Sequence, residues 1–96
     1  MEPADITATL TERGNRYGTF DSNAALSQTL KQTLHTAPNW NSLPNYMKEA
    51  LEMVMHKISR LLNGDFTYTD NVIDILGYTQ LMLDEMNREN AKREMD

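Results

Sequence analysis

The stretch Lys48–Tyr78, KEALEMVMHKISRLLNGDFTYTDNVIDILGY, decides the fold. Met47, Leu51, Val54, Ile58, Leu61 and Leu62 recur at helical spacing and make one apolar face. Asn63-Gly64 is a helix stop. Asp65 to Thr69 is a short link, and Thr69 or Asp70 caps a second helix. Along that helix Val72, Ile75, Leu76, Thr79, Leu83 and Met86 follow one face. A link this short makes the two helices antiparallel neighbours. The expected pair is Pro44–Asn63 with Asp70–Arg88, burying Leu51, Val54, Ile58, Ile75 and Leu76. Gly77 inside the second helix costs about 1 kcal/mol relative to alanine, and a close helix approach would explain it.

Towards the N-terminus, TAPNWNSLPNY breaks the helical pattern with Pro38, Pro44 and three asparagines. Trp40 there is read as an anchor for the loop, with ligand stacking as the alternative. Ser42 or Asn45 caps the helix that follows, and Pro44 suits its first turn. Before the loop, Leu26, Leu30 and Leu34 form the stripe of a helix that starts at Asp21 or Ser22 and ends near His35. His35 suits the negative end of the helix dipole. Ile6 and Leu10 mark a short first helix over residues 1–14, with Gly14 as its end. The segment RGNRYGTFDSN then reads as a loop. In it Arg13, Arg16, Tyr17 and Phe20 form a basic and aromatic cluster. Tyr17 and Phe20 either plug a core edge, or Tyr17 stacks on a base while Arg16 meets phosphate.

The 96 residues suit a single domain: an N-terminal helix and loop over 1–20, a helical core over 21–86 and a charged tail over 87–96. The expected fold class is all-α, an antiparallel bundle of three main helices plus a short N-terminal one. A chain so small leaves much apolar surface uncovered, so a homodimer or larger homo-oligomer is expected. Without cysteine there is neither a disulfide framework nor a thiolate metal site, which suits a reducing cytoplasm. No signal peptide or membrane-spanning run is read, so no membrane partner is expected. A formal charge of -5 argues against direct DNA or RNA binding through phosphates. A nucleotide carrying a divalent cation stays compatible with that charge.

The residues that could act together lie on the two helices of the central stretch. Glu49, Glu52, His56 and Arg60 share a polar stripe, with Lys57 beside it. Asp70 and Asp74 are one turn apart on the next helix. Glu49 lies about 14 residues before the turn and Asp74 about 10 after it, so at 1.5 Å per residue their heights are similar. Three carboxylates so placed suit Mg²⁺, which takes carboxylate oxygens and keeps waters or phosphate oxygens. Lys57 and Arg60 would then meet phosphate. The alternative is a solvated stripe of surface charge pairs worth tenths of a kcal/mol. His56 has no fixed partner visible in the sequence, so no catalytic residue is assigned.

The run E-R-G-x-R-Y-G-T-F, a tryptophan, K-x-x-R-L-L-N-G-D and D-x-x-x-D-I-x-G-Y resembles a family of small phage and prophage proteins. The likeness covers Glu12 to Leu81 and is sharpest at Arg16-Tyr17-Gly18, at His56-Lys57-Ile58 with Arg60, and at Asp74–Tyr78. More distantly the hairpin is similar to the MazG-like all-α nucleoside triphosphate pyrophosphohydrolases. Those enzymes carry E-x-x-E and E-x-x-D pairs and use Mg²⁺. Glu49 and Glu52 match the first pair, while the second matches at Asp74 only, with Asn71 where an acid belongs. The resemblance implies Mg²⁺ held by Glu49, Glu52 and Asp74, with Asp70 auxiliary. It implies a nucleotide met by Lys57, Arg60, Arg16 and Tyr17 in the cytoplasm of a bacterial host. If active, such a protein is a pyrophosphohydrolase. The alternatives are a nucleotide-sequestering protein without catalysis and an interaction protein that inhibits a host defence protein.

Overall fold

A computed structural model describes residues 6–95, and every regular element in them is helical. Helix α1 spans Ile6–Tyr17, α2 Phe20–His35, α3 Asn45–Asn63 and α4 Asp70–Met95, with a 3-10 turn at Trp40–Ser42. Residues 1–5 of the expected first helix, and Asp96 of the tail, lie outside the described residues.

The ends of α3 fall where the sequence puts them. Gly64 follows as C-cap, donating its N–H to the Arg60 carbonyl at 3.0 Å. Pro44 stands at the N-cap rather than inside the first turn, and no side chain caps that end. The residues after Arg88 continue α4 to Met95, so the charged tail is helical.

The first junction differs from expectation. Gly14 does not end α1, and the expected loop from Arg13 is helix as far as Tyr17. Gly18 is the residue with a left-handed backbone, at φ +83°. Its N–H closes the last turn onto the Gly14 carbonyl at 2.9 Å. Helix α2 then starts from Thr19, whose hydroxyl accepts the Ser22 N–H at 3.3 Å. Both Gly14 and Gly18 permit that backbone. The end falls at Gly18 because that is where the chain must leave α1 to meet α3.

That meeting is close. A Cβ on Gly18 would overlap the Asn63 side chain and carbonyl. A Cβ on Gly64 would overlap the Arg16 carbonyl and the Tyr17 backbone. Asp65 donates its N–H to the Arg16 carbonyl at 2.8 Å, and Asn63 Nδ2 donates to the Tyr17 carbonyl at 3.1 Å. The guanidinium of Arg16 lies 4.3 Å from the Tyr68 ring centre and its Nη1 lies 3.6 Å from Asp65 Oδ2. Arg16-Tyr17-Gly18 and Asn63-Gly64-Asp65 therefore form a clasp between the end of α1 and the end of α3.

Helix α3 carries the main packing, against α4 and against α2. Both neighbours run antiparallel to it. Lys57 meets Asp74 near the turn, while Tyr46 shares a groove with Glu85 at the far end. On the α2 side Ser59 meets Asn23, His56 meets Ser27, and Glu52 meets His35. The α2 seam is polar. Ser59 is fully buried, Ser27 and Asn23 nearly so, while Leu26, Leu30 and Leu34 are half-buried. Ser59 Oγ bonds Asn23 Oδ1 at 3.0 Å and its own-helix His56 carbonyl at 2.6 Å, which satisfies the group that burial would otherwise penalise.

Burial departs from the sequence reading on α4. Ile75 is half-buried as are Leu51, Val54 and Ile58, but Leu76 is 64% exposed. Val72, Ile73, Leu81, Leu83 and Met86 are exposed as well. The face of α4 towards α3 is instead built from Asn71, Ile75, Tyr78 and Met82. No heavy atom lies within 4 Å of a Cβ placed on Gly77, so no close approach within the chain explains that glycine. Trp40 and Ala50 are the buried apolar residues among those described, and Trp40 sits 4.9 Å from the His35 ring as an anchor of its loop.

Candidate functional site

The carboxylates expected to share a cation are held apart. Glu52 Oε2 lies 3.4 Å from His35 Nε2, on the α2 side of α3. Glu49 lines the groove towards α4 with Tyr78 and Glu85. Asp74 is bound to Lys57 Nζ at 2.9 Å, and Asp70 accepts the Tyr68 hydroxyl at 2.6 Å. The reason is rotational. Glu49 and Glu52 are about 60° apart around α3, enough to turn one towards each flanking helix. Among the described residues no three His, Asp or Glu side chains are grouped to hold a metal. The donor set does not fit the Mg²⁺ that the resemblance implies. Asn71, where the resemblance asks for an acid, is 1% exposed and its Nδ2 finds no partner. A carboxylate there would be buried without a matching cation, which is costly.

The nucleotide-binding residues are also divided. Lys57 is taken by Asp74, and Arg16 by Glu12, Asp65 and the Tyr68 ring in the clasp. Arg60 and Tyr17 do come together, with the guanidinium carbon 4.1 Å from the ring centre. They line a crevice of about 540 Å³ between α1, α2 and α3. Its other walls are Leu10, Arg13, Gly14, Gly18, Thr19, Phe20, Asn23 and His56.

Three features of this crevice bear on chemistry. It contains two arginines and no acid, in a chain whose formal charge is -5. The start of α2 opens onto it at Thr19 and Phe20, where a helix end favours an anion. Finally, Phe20 is 87% exposed at its rim, a large apolar ring left in water. His56 lies at the back, its Nδ1 3.3 Å from Ser27 Oγ. Burial first, then the charges of Arg60, Lys31 and Lys57, hold His56 below the ordinary histidine pKa. The buried Nε of Arg60 has no hydrogen-bond partner.

The sequence groups Arg13, Arg16, Tyr17 and Phe20 as a local cluster and gives Tyr17 and Arg60 to one ligand; it does not point to Asn23, Thr19 and His56 as crevice walls. A signal existed for Asn23. Asn23, Ser27 and Lys31 repeat every fourth residue on α2, beside the leucine stripe. Comparison with family models, curated proteins and solved structures gives no match to this chain.

Proposed function

We propose that this chain is a helical nucleotide-binding protein that works by binding rather than hydrolysis. The crevice between α1, α2 and α3 is its site. The observation that carries the reading is the acid-free pair Arg13 and Arg60 beside Tyr17 and Phe20 in an otherwise acidic chain. Arginine matches phosphate oxygens in a fork and stacks on rings. Phe20 and Tyr17 offer aromatic surface for a base. The volume lies within the range of ordinary small-ligand sites, about 300–1,000 Å³. The MazG-like resemblance supports a nucleotide as the ligand. With Glu49, Glu52 and Asp74 apart, the reading leaves out the metal and the pyrophosphohydrolase step. The reading takes the chain to be cytoplasmic, where nucleotides are held. Among the described residues no helix is long and apolar enough to cross a membrane.

A nuclear magnetic resonance titration with a nucleoside triphosphate in excess chelator tests the location. Amide shifts should centre on Arg13, Tyr17, Phe20, His56 and Arg60. Shifts gathered on α4, or none at saturating nucleotide, would overturn the reading.

His56 adds a pH signature. Its pKa is lowered in the free protein by burial and by neighbouring cations. Phosphate placed beside those cations favours the charged ring and raises that pKa. Binding is therefore linked to proton uptake, and affinity should rise as pH falls through the His56 range. Stability of the free protein runs the other way. The unfolded chain, with its histidine near pH 6.5, binds the proton first, so His56 lowers stability as pH drops below that value. His56→Gln should flatten both dependences. An affinity independent of pH in the wild type would contradict this role.

A further inference from the structure

The outward face of α4 has a repeat of its own. Val72, Leu76, Thr79, Leu83 and Met86 follow one another at steps of four, three, four and three. That is the spacing of a heptad seam, by which one helix packs against another along its length. In the structure this seam flanks the face that meets α3: Met86 borders a groove with Tyr46 and Met47, while Val72, Leu76 and Leu83 are left in water. Val72 is 47% exposed, Leu76 64%, Leu83 48% and Met86 37%. The hydroxyl of Thr79, half-buried at the centre, is bonded to the Ile75 carbonyl at 2.8 Å. Covering it would therefore strand no polar group. None of these residues lines the crevice.

The molecule also exposes more surface than a closed monomer of its size. The accessible area is 7069 Å², against about 5,600 Å² for a compact monomer of this mass. The radius of gyration is 16.8 Å, against about 12.5 Å for a compact domain of this length. The excess, about 1,470 Å² per chain, is larger than the roughly 800 Å² that a standard interface removes from each partner, so one such interface fits within it. Within a helix of 26 residues, Val72 to Met86 offers about 21 Å of seam.

The seam is nearly symmetric about Thr79. Two copies crossing antiparallel there bring Met86 of one helix level with Val72 of the other. The two helix dipoles favour this arrangement over a parallel one.

We infer that the chain forms a two-fold homodimer through the Val72–Met86 seam, with the two α4 helices antiparallel about Thr79. The interface is isologous, since the same seam serves both copies. It is independent of the nucleotide reading, because no residue of α4 lines the crevice.

Sedimentation of the wild-type chain should give twice the monomer mass of 11.0 kDa at micromolar concentrations. Leu76→Glu with Leu83→Glu should return it to the monomer, whereas Phe20→Ser, a change of another exposed apolar residue, should leave the dimer intact. The absence of cysteine makes cross-linking clean. Val72→Cys together with Met86→Cys should give a disulfide-linked dimer on oxidation, and Val72→Cys alone should not. A monomeric wild-type chain overturns the inference, whatever the variants do. So does a dimer that persists with both glutamates in place, or one cross-linked by Val72→Cys alone. A mass set by a copurified foreign protein would assign the seam to that partner and refute the homodimer.

Discussion

Gly64→Ala should be the most damaging single change in the chain. The added Cβ would overlap the Arg16 carbonyl and the Tyr17 Cα, both of them backbone and neither able to swing aside. The φ of -128° at Gly64 is open to any residue, so the effect comes from contact and not from conformation. Relief requires the ends of α1 and α3 to separate. That breaks the 2.8 Å bond from Asp65 to the Arg16 carbonyl and the 3.1 Å bond from Asn63 to the Tyr17 carbonyl. The expected cost is about 3 kcal/mol or more, the upper range for overpacking against an unyielding neighbour. Chemical denaturation should show the lowered midpoint. Hydrogen exchange should show faster exchange in α1 before α3 and α4 respond. A midpoint within error of the wild type would contradict the clasp. Gly18→Ala should behave similarly, with left-handed strain at φ +83° adding to the overlap with Asn63.

Arginine removal from the crevice should have the largest effect on ligand binding. Arg13 is exposed on α1, so Arg13→Gln should leave stability within about 0.5 kcal/mol of the wild type. A hydrogen bond to a charged group contributes about 1.5–3 kcal/mol, so each arginine that meets phosphate should account for about 10- to 100-fold in affinity. Arg60→Gln should lose as much binding. It also removes the stacking on Tyr17 at 4.1 Å, so some stability should go with it. Arg13→Gln therefore separates recognition from folding. An unchanged dissociation constant in both variants would take the phosphate out of the crevice. By contrast Arg16→Gln should weaken the clasp more than the binding, because Arg16 is engaged by Glu12 and Tyr68.

The central hairpin was legible because its signals are local. Asn63-Gly64 stops α3 by its own chemistry, and a short link leaves the next helix only an antiparallel course. The end of α1 was not legible, because two glycines could each end it. The choice of Gly18 over Gly14 depends on Asn63, which is 45 residues further on. The α4 face was misassigned for a related reason. Its apolar stripe was taken as the inner face, which assumes that the chain buries its own stripes. Here α4 meets α3 through Asn71, Ile75 and Tyr78, and Val72, Leu76 and Leu83 of the stripe are left outside. The polar stripe of α3 was read towards solvent or metal. It is in fact the seam to α2 and α1, where Glu52 meets His35, His56 meets Ser27 and Arg60 meets Tyr17. Polar pairs specify a seam as firmly as leucines do once each finds its partner, and spacing on one helix does not reveal that partner.

Separating these residues also separates the two parts of the original expectation. In the proposed reading Arg60 and Tyr17 keep the nucleotide and the acids, which lie apart, do not hold a metal. Calorimetry of a nucleoside triphosphate with the wild-type chain in excess chelator distinguishes them most directly. The account predicts saturable binding of one nucleotide per chain without any divalent cation, tighter as pH falls and weakened about 10-fold or more by Arg13→Gln. Binding that appears only when Mg²⁺ is restored, or no binding heat across the His56 range, would contradict it.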